Sequence, residues 1–141
     1  MRYALDASAA LCWVLPRPAS PHAVRLRDGF RQGVHDLIAP SVFPAEVASA
    51  LTKAERQKLV PVGQARLLLA DILSTPPAIH AYEPLLARAV DISPRTRSGL
   101  YDCLYVALAE REGCELVTDD QKLLANLSPQ FPFIVPLASL P

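Results

Sequence analysis

The chain of 141 residues has no net charge, no long apolar run, no C-x-x-C pair and no internal repeat. Lysine plus arginine equal aspartate plus glutamate at 14 each. Bulk charge therefore offers no pull on a polyanion, and such a ligand would need local basic patches or a bound cation. No stretch approaches the roughly 20 apolar residues that span a bilayer, so no membrane association is expected. Cys12, Cys103 and Cys114 are odd in number, which argues against a disulfide framework and for buried free thiols in a reducing cytoplasm. The opening MRYALDASAALCWVLP has the look of a signal peptide. However, Asp6 interrupts it, only Arg2 precedes it and its pattern runs on into the domain. Low-complexity segments and long linkers are also missing. Residues 1–141 are thus expected to form one cytoplasmic domain, large enough to bury a core without disulfides.

What is present is apolar: 51% of residues, with a slightly positive mean hydropathy. That is a little rich for a monomer of this size and hints at surface covered by a partner. Fourteen prolines punctuate the element boundaries. Between them strands and helices alternate, which predicts an α/β domain around a mainly parallel sheet. Strands are expected at 2–6, 36–39, 78–80 and 115–118, with an edge strand at 133–136. Helices are expected from Ser8 (as N-cap) to about Val14, and over 22–32, 42–58, 61–74 and 82–92. The segment Ser93–Ser98 reads as a polar loop. Ser98 reads as the cap of a helix over 99–112 that Gly113 closes, and a short helix follows over 119–126.

Four acids stand at expected helix starts: Asp6 after strand one, Glu46 after strand two, Asp102 behind Ser98 and Asp120 after strand four. In open α/β sheets the β-to-α junctions collect at the carboxyl edge, where ligands bind. Gathered there, the carboxylates would repel one another unless a cation compensates, and an all-oxygen set suits Mg²⁺ or Mn²⁺. An acid near a helix start is, taken singly, usually a cap or a dipole partner. Glu46 is the one most easily read as ordinary surface. Asp6 resists that reading, since an acid directly after an apolar strand would sit half buried and unpaired. Asp119 and Asp120 compete: one caps the last helix while the other faces the site.

Together, LDASAAL at 5–11, APSVFPAEVASAL at 39–51, YDCLYVALAE at 101–110 and LVTDDQKL at 116–123 resemble the PIN-domain ribonucleases, and among them the VapC-type toxins of toxin–antitoxin pairs. The likeness covers nearly the whole chain in order. It implies a three-layer α/β/α fold with a mainly parallel sheet of four to five strands. Carried over by position, Asp6, Glu46, Asp102 and Asp120 are the catalytic, metal-holding acids, with Asp119 an extra ligand candidate. Ser8 and Thr118 fall at hydroxyl positions that support the acidic site. Pro44, two residues before Glu46, departs from many relatives without removing the acid.

The activity implied is metal-dependent endoribonuclease cleavage of RNA phosphodiester bonds, with Mg²⁺ or Mn²⁺ as cofactor and 5′-phosphate and 3′-hydroxyl products. No histidine is required. Arg95 and Arg97, before the Asp102 helix, are the expected phosphate contacts, and Tyr101 is placed to stack on a base or pack in the core. The resemblance also implies a homodimer and a cognate VapB-type antitoxin. Its groove would be built from the helices at 42–58 and 61–74, with Leu51, Leu59, Val60, Leu68 and Leu69, although most of these read equally as core. Two alternatives remain. One is a PIN-fold module that binds RNA or protein without turnover. The other is a phosphorelay receiver domain, which needs an acid paired with Asp6 and a lysine after a late strand, neither of which occurs.

Overall fold

Three strands bury nearly every residue they contain. In β1 (Arg2–Leu5), β2 (Asp36–Pro40) and β4 (Glu115–Thr118), all but the first residue is buried. Burial without alternation requires cover on both faces, as helices supply to a parallel sheet. β3 (Ala78–His80) and β5 (Ile134–Pro136) form the edges, giving the order β3-β2-β1-β4-β5 with every pairing parallel. The expected three-layer α/β/α arrangement is thus found, with five strands. This computed structural model describes residues 1–141.

Seven helices complete the layers: α1 (Ala7–Leu11), α2 (Ser20–Arg31), α3 (Phe43–Arg56), α4 (Gln64–Leu73), α5 (Leu86–Thr96), α6 (Leu100–Glu112) and α7 (Gln121–Leu127). From central β1 the chain steps outward through β2 to β3, then returns to add β4 and β5 on the other side. The strand order therefore reverses between β1 and β4. A crevice opens at the carboxyl ends of strands where connections depart in opposite directions. Leu5 pairs with Val117, and Asp6 N–H continues the ladder to Val117 O at 3.0 Å, so Asp6 and Thr118 meet at that crevice.

α6 is the internal beam. Cys103 to Ala109 are all buried, seven in a row, so the middle of this helix has no solvent face and packs all round. It presents Asp102 from its first turn, and Tyr105, fully buried, one turn further on.

Several boundaries depart from the sequence reading. Ser8 is not the cap of α1. Asp6 is, with extended backbone and its carboxylate accepting from Ser8 N–H, and the helix ends at Leu11 and not at Val14. Pro21 lies in the first turn of α2, where a missing N–H costs nothing. The expected loop Ser93–Ser98 is largely the end of α5, whose buried Ala89 and Ile92 give it an inner stripe. Arg97 closes it in a left-handed conformation at φ 54°. Polarity there marks the outer face of a helix, which a run of polar residues at its end disguised. Gly99, not Ser98, caps α6, and no side chain takes part. α4 starts at Gln64, three residues later than expected, and its buried residues are Ala65 and Ile72, whereas Leu67 and Leu73 are exposed.

Candidate functional site

Asp6 is 5% exposed at the end of β1. Its Oδ2 receives Ser8 Oγ–H at 2.5 Å, Thr118 Oγ1–H at 2.9 Å and Ser8 N–H at 3.4 Å. Each hydroxyl has one proton. With both protons directed to Asp6, the 3.1 Å approach of Ser8 Oγ to Thr118 Oγ1 is a contact rather than a bond. The same two oxygens also accept: Ser8 Oγ from Asp119 N–H at 2.9 Å, and Thr118 Oγ1 from Asp120 N–H at 3.1 Å. Two hydroxyls thus stitch the ends of β1 and β4 together and leave Asp6 Oδ1 with no protein donor.

Asp120 shows the same division of labour. Its Oδ1 caps α7, accepting from Lys122 N–H at 3.0 Å and Leu123 N–H at 3.1 Å, while no donor reaches Oδ2. Asp120 is therefore the cap of the adjacent pair. Asp119 turns its Oδ2 toward the buried thiol of Cys12, 3.3 Å away. Burial, then the bond and charge of Asp119, push that thiol up to about 12, so it stays protonated.

Glu46, which taken singly reads most easily as surface, stands with the other acids. It sits in the first turn of α3, and its Oε1 is buried with no hydrogen-bond partner. The Tyr105 hydroxyl, also buried and unpartnered in bond geometry, lies near enough to Glu46 to lower its pKa. The net shift of Glu46 is nonetheless upward, first from desolvation and then from the charge of Asp6. Asp102 accepts no hydrogen bond. Desolvation, followed by the charges of Asp6, Asp120 and Glu46, raises it to about 7, with Lys122 as the one opposing influence. Asp6 is likewise raised, chiefly by desolvation and against its two hydroxyl donors.

The four acids are therefore brought together from β1, α3, α6 and α7, close enough to shift one another. No cation neutralises them, since none takes part in a salt bridge. As their side chains stand, no three converge into a finished coordination shell. What they offer are oxygens left free by every protein donor: Asp6 Oδ1, Asp120 Oδ2, both of Asp102 and the buried Glu46 Oε1. Of these, Glu46 Oε1 is fully buried and therefore costly to leave unpartnered, and an all-oxygen set of this kind fits a hard divalent cation.

Tyr101 lines a cavity beside Glu46, whereas the arginines and histidines named from the sequence fall outside this cluster. Arg95 is exposed in the last turn of α5 and donates to Asp91 O at 2.9 Å. Arg97 is the exposed C-cap of the same helix. Neither lines the cavities beside the carboxylates. His22 bonds to Leu140 O and His80 approaches Arg111, both away from the acids. Three groups escaped the sequence reading: Tyr105, hidden within an apolar helical run, and Arg17 and Lys53, which line the cavities. Only the rank of Tyr105 as the lone hydroxyl in that run signalled it.

The PIN domain family model matches residues 3–127. Ribonuclease VapC3 of Mycobacterium tuberculosis is 36% identical over 119 residues, covering 84% of this chain and 82% of that protein. Ribonuclease VapC12 of the same organism is 34% identical, covering 84% and 87%. Ribonuclease VapC3 of Pyrobaculum aerophilum is 31% identical over 137 residues, covering 96% and 98%. Among solved structures, PAE2754 from Pyrobaculum aerophilum superposes with a TM-score of 0.71 at 23% identity, covering 97% of this chain and 84% of that one. VapBC2 from Rickettsia felis, bound to a DNA fragment from its promoter, gives a TM-score of 0.65 at 18% identity, covering 96% and 97%. At these identities the two structures speak for the fold.

Proposed function

Because the chain belongs to the PIN-domain family, we propose that it is a divalent-metal-dependent endoribonuclease acting as the toxin of a VapBC-type pair. The observation that carries this is the meeting of Asp6, Glu46, Asp102 and Asp120 at the carboxyl edge of the sheet, each with an oxygen that no protein group satisfies. Relatives named ribonucleases along most of the chain support RNA as the substrate.

Asp6, Asp102 and Asp120 would hold Mg²⁺ or Mn²⁺, with Glu46 joining directly or through water and Asp119 beside them. Bound there, such an ion would let a water ionise readily enough to attack a phosphate as hydroxide, and would offset the charge that develops on that phosphate. The protein's own part is preparation. Ser8 and Thr118 fix one oxygen of Asp6 and so aim the other. The first N–H groups of α7 do the same for Asp120. The buried setting weakens competition from bulk water for these charges. Hydrolysis of the P–O3′ bond by water leaves a 5′-phosphate and a 3′-hydroxyl.

The purified chain is expected to cleave RNA in Mg²⁺ or Mn²⁺ and to lose at least about 100-fold in rate on Asp6→Asn or Asp102→Asn, as removal of key electrostatic groups does. Full activity in excess EDTA overturns the mechanism. Metal binding without turnover of any RNA points instead to a binding module. A VapB-type antitoxin is the proposed partner and a homodimer the proposed assembly. No helix is long and apolar enough to cross a membrane.

A further inference from the structure

Arg17, Lys53 and Lys122 are exposed and pair with no carboxylate, since the molecule's salt bridges lie at Arg2, Arg27, Arg88 and Arg111. Yet Arg17 and Lys53 line cavities shared with Glu46, Asp119 and Asp120, and Lys122 is near enough to Asp102 for its charge to act there. Two cavities are involved. One, of about 400 Å³, is lined by Glu46, Ser49, Lys53 and Tyr101 among others. The other, of about 540 Å³, is lined by Ser8, Arg17, Lys53, Asp119 and Asp120 among others. Ala50 and Lys53 belong to both, so the two adjoin on α3 with Lys53 between them, and together they offer a trough. Tyr101, on α6 next to Asp102, is 57% exposed at one end. It faces the trough with an aromatic ring that the core does not use.

Spaced cations that track a backbone, beside an open aromatic face, form the chemistry that holds single-stranded nucleic acid. A duplex keeps its bases stacked on each other and cannot use the ring. We propose that single-stranded RNA lies along this trough, its phosphates on Lys53 and Arg17 and one base on Tyr101, so that the chain between them passes Glu46, Asp119 and Asp120. This rests on the ribonuclease reading and adds the strand's path. It places the main phosphate contacts on α3 and after α1, in addition to the end of α5 where Arg95 and Arg97 stand.

The test measures anisotropy of a short fluorescein-labelled single-stranded RNA of mixed sequence in excess EDTA, so that binding is read without hydrolysis. Lys53→Ala and Arg17→Ala are each expected to weaken binding roughly fivefold and to reduce the salt slope by about one. Tyr101→Ala should weaken it roughly fivefold or more, and Tyr101→Phe should restore it. Arg25→Ala, an equal charge change beside the chain's C-terminus, should bind as wild type. Melting temperatures show that each variant is folded. Unchanged affinity and slope in Lys53→Glu overturn the trough, as does equal affinity for a duplex. Normal RNA binding by Lys53→Glu with lost binding of the neighbouring gene's product gives the trough to a protein tail and also overturns the proposal. Failure of the ribonuclease reading looks different: RNA bound through these residues but never cut in Mn²⁺.

Discussion

Asp102 stands in the first turn of α6 with both carboxylate oxygens free of donors, and with Asp6, Asp120 and Glu46 as neighbours. Its ordinary value of 3.8 rises to about 7, so between those values the folded chain binds more protons than the unfolded one. Stability of the metal-free protein should then fall as pH climbs from about 4 to about 7. Melting curves in EDTA across that range check this. Asp102→Asn should flatten the fall, and Mn²⁺ at pH 8 should raise the melting temperature of the wild type. Thr118 is fully buried and serves Asp6 and Asp120 at once. Thr118→Val keeps the shape and strips both bonds, at an expected cost of about 1–3 kcal/mol by urea unfolding. Tyr105→Phe is the contrast. Its hydroxyl has no well-formed bond, so its removal should change stability by less than about 1 kcal/mol.

At the scale of elements, the site is a product of helix starts. α1 and α7 begin at Asp6 and Asp120, which spend one oxygen on the cap and keep the other. α6 begins at Gly99 and needs no side-chain cap, so Asp102 is not consumed by the helix that carries it. The other end of α6 turns on Gly113, whose φ of 64° lies in the left-handed region, with open space where a Cβ would go. Gly113→Ala should therefore cost about 1 kcal/mol from backbone conformation alone, measurable by denaturant unfolding without loss of RNA cleavage.

Over the whole molecule, apolar residues exceed what the core consumes. One cluster of 38 buried residues forms that core and takes Leu51 fully, with Val60, Leu68 and Leu69 partly buried against it. Leu59, Val62 and Leu67 remain 72%, 92% and 55% exposed around the α3–α4 turn, a surface suited to a partner. Expression of the chain alone is expected to arrest growth, and co-expression of its genomic neighbour to relieve it. Growth unaffected in both cases would count against the toxin role, while leaving cleavage in vitro to be judged separately.

Most of the architecture was legible in the residue order. Apolar strands between punctuated helices led to a parallel sheet, because a strand buried on both faces has to lose its alternation and a helix has to keep its stripe. The positions of Asp6, Asp102 and Asp120 followed from the same logic. Glu46 and Asp119 were named as candidates beside them through the resemblance, whereas Arg17, Lys53 and the helical nature of Ser93–Thr96 were not legible. Whether an acid is ordinary surface or part of a cluster depends on what lies across the gap, and chain separations as long as that from Asp6 to Thr118 carry no local signal. The sequence by itself determined which segments fold and where the acids leave them. Only the tertiary structure decided which oxygens are spent on caps and hydroxyls and which stay free, since hydrogen bonds are awarded by distance and direction in space.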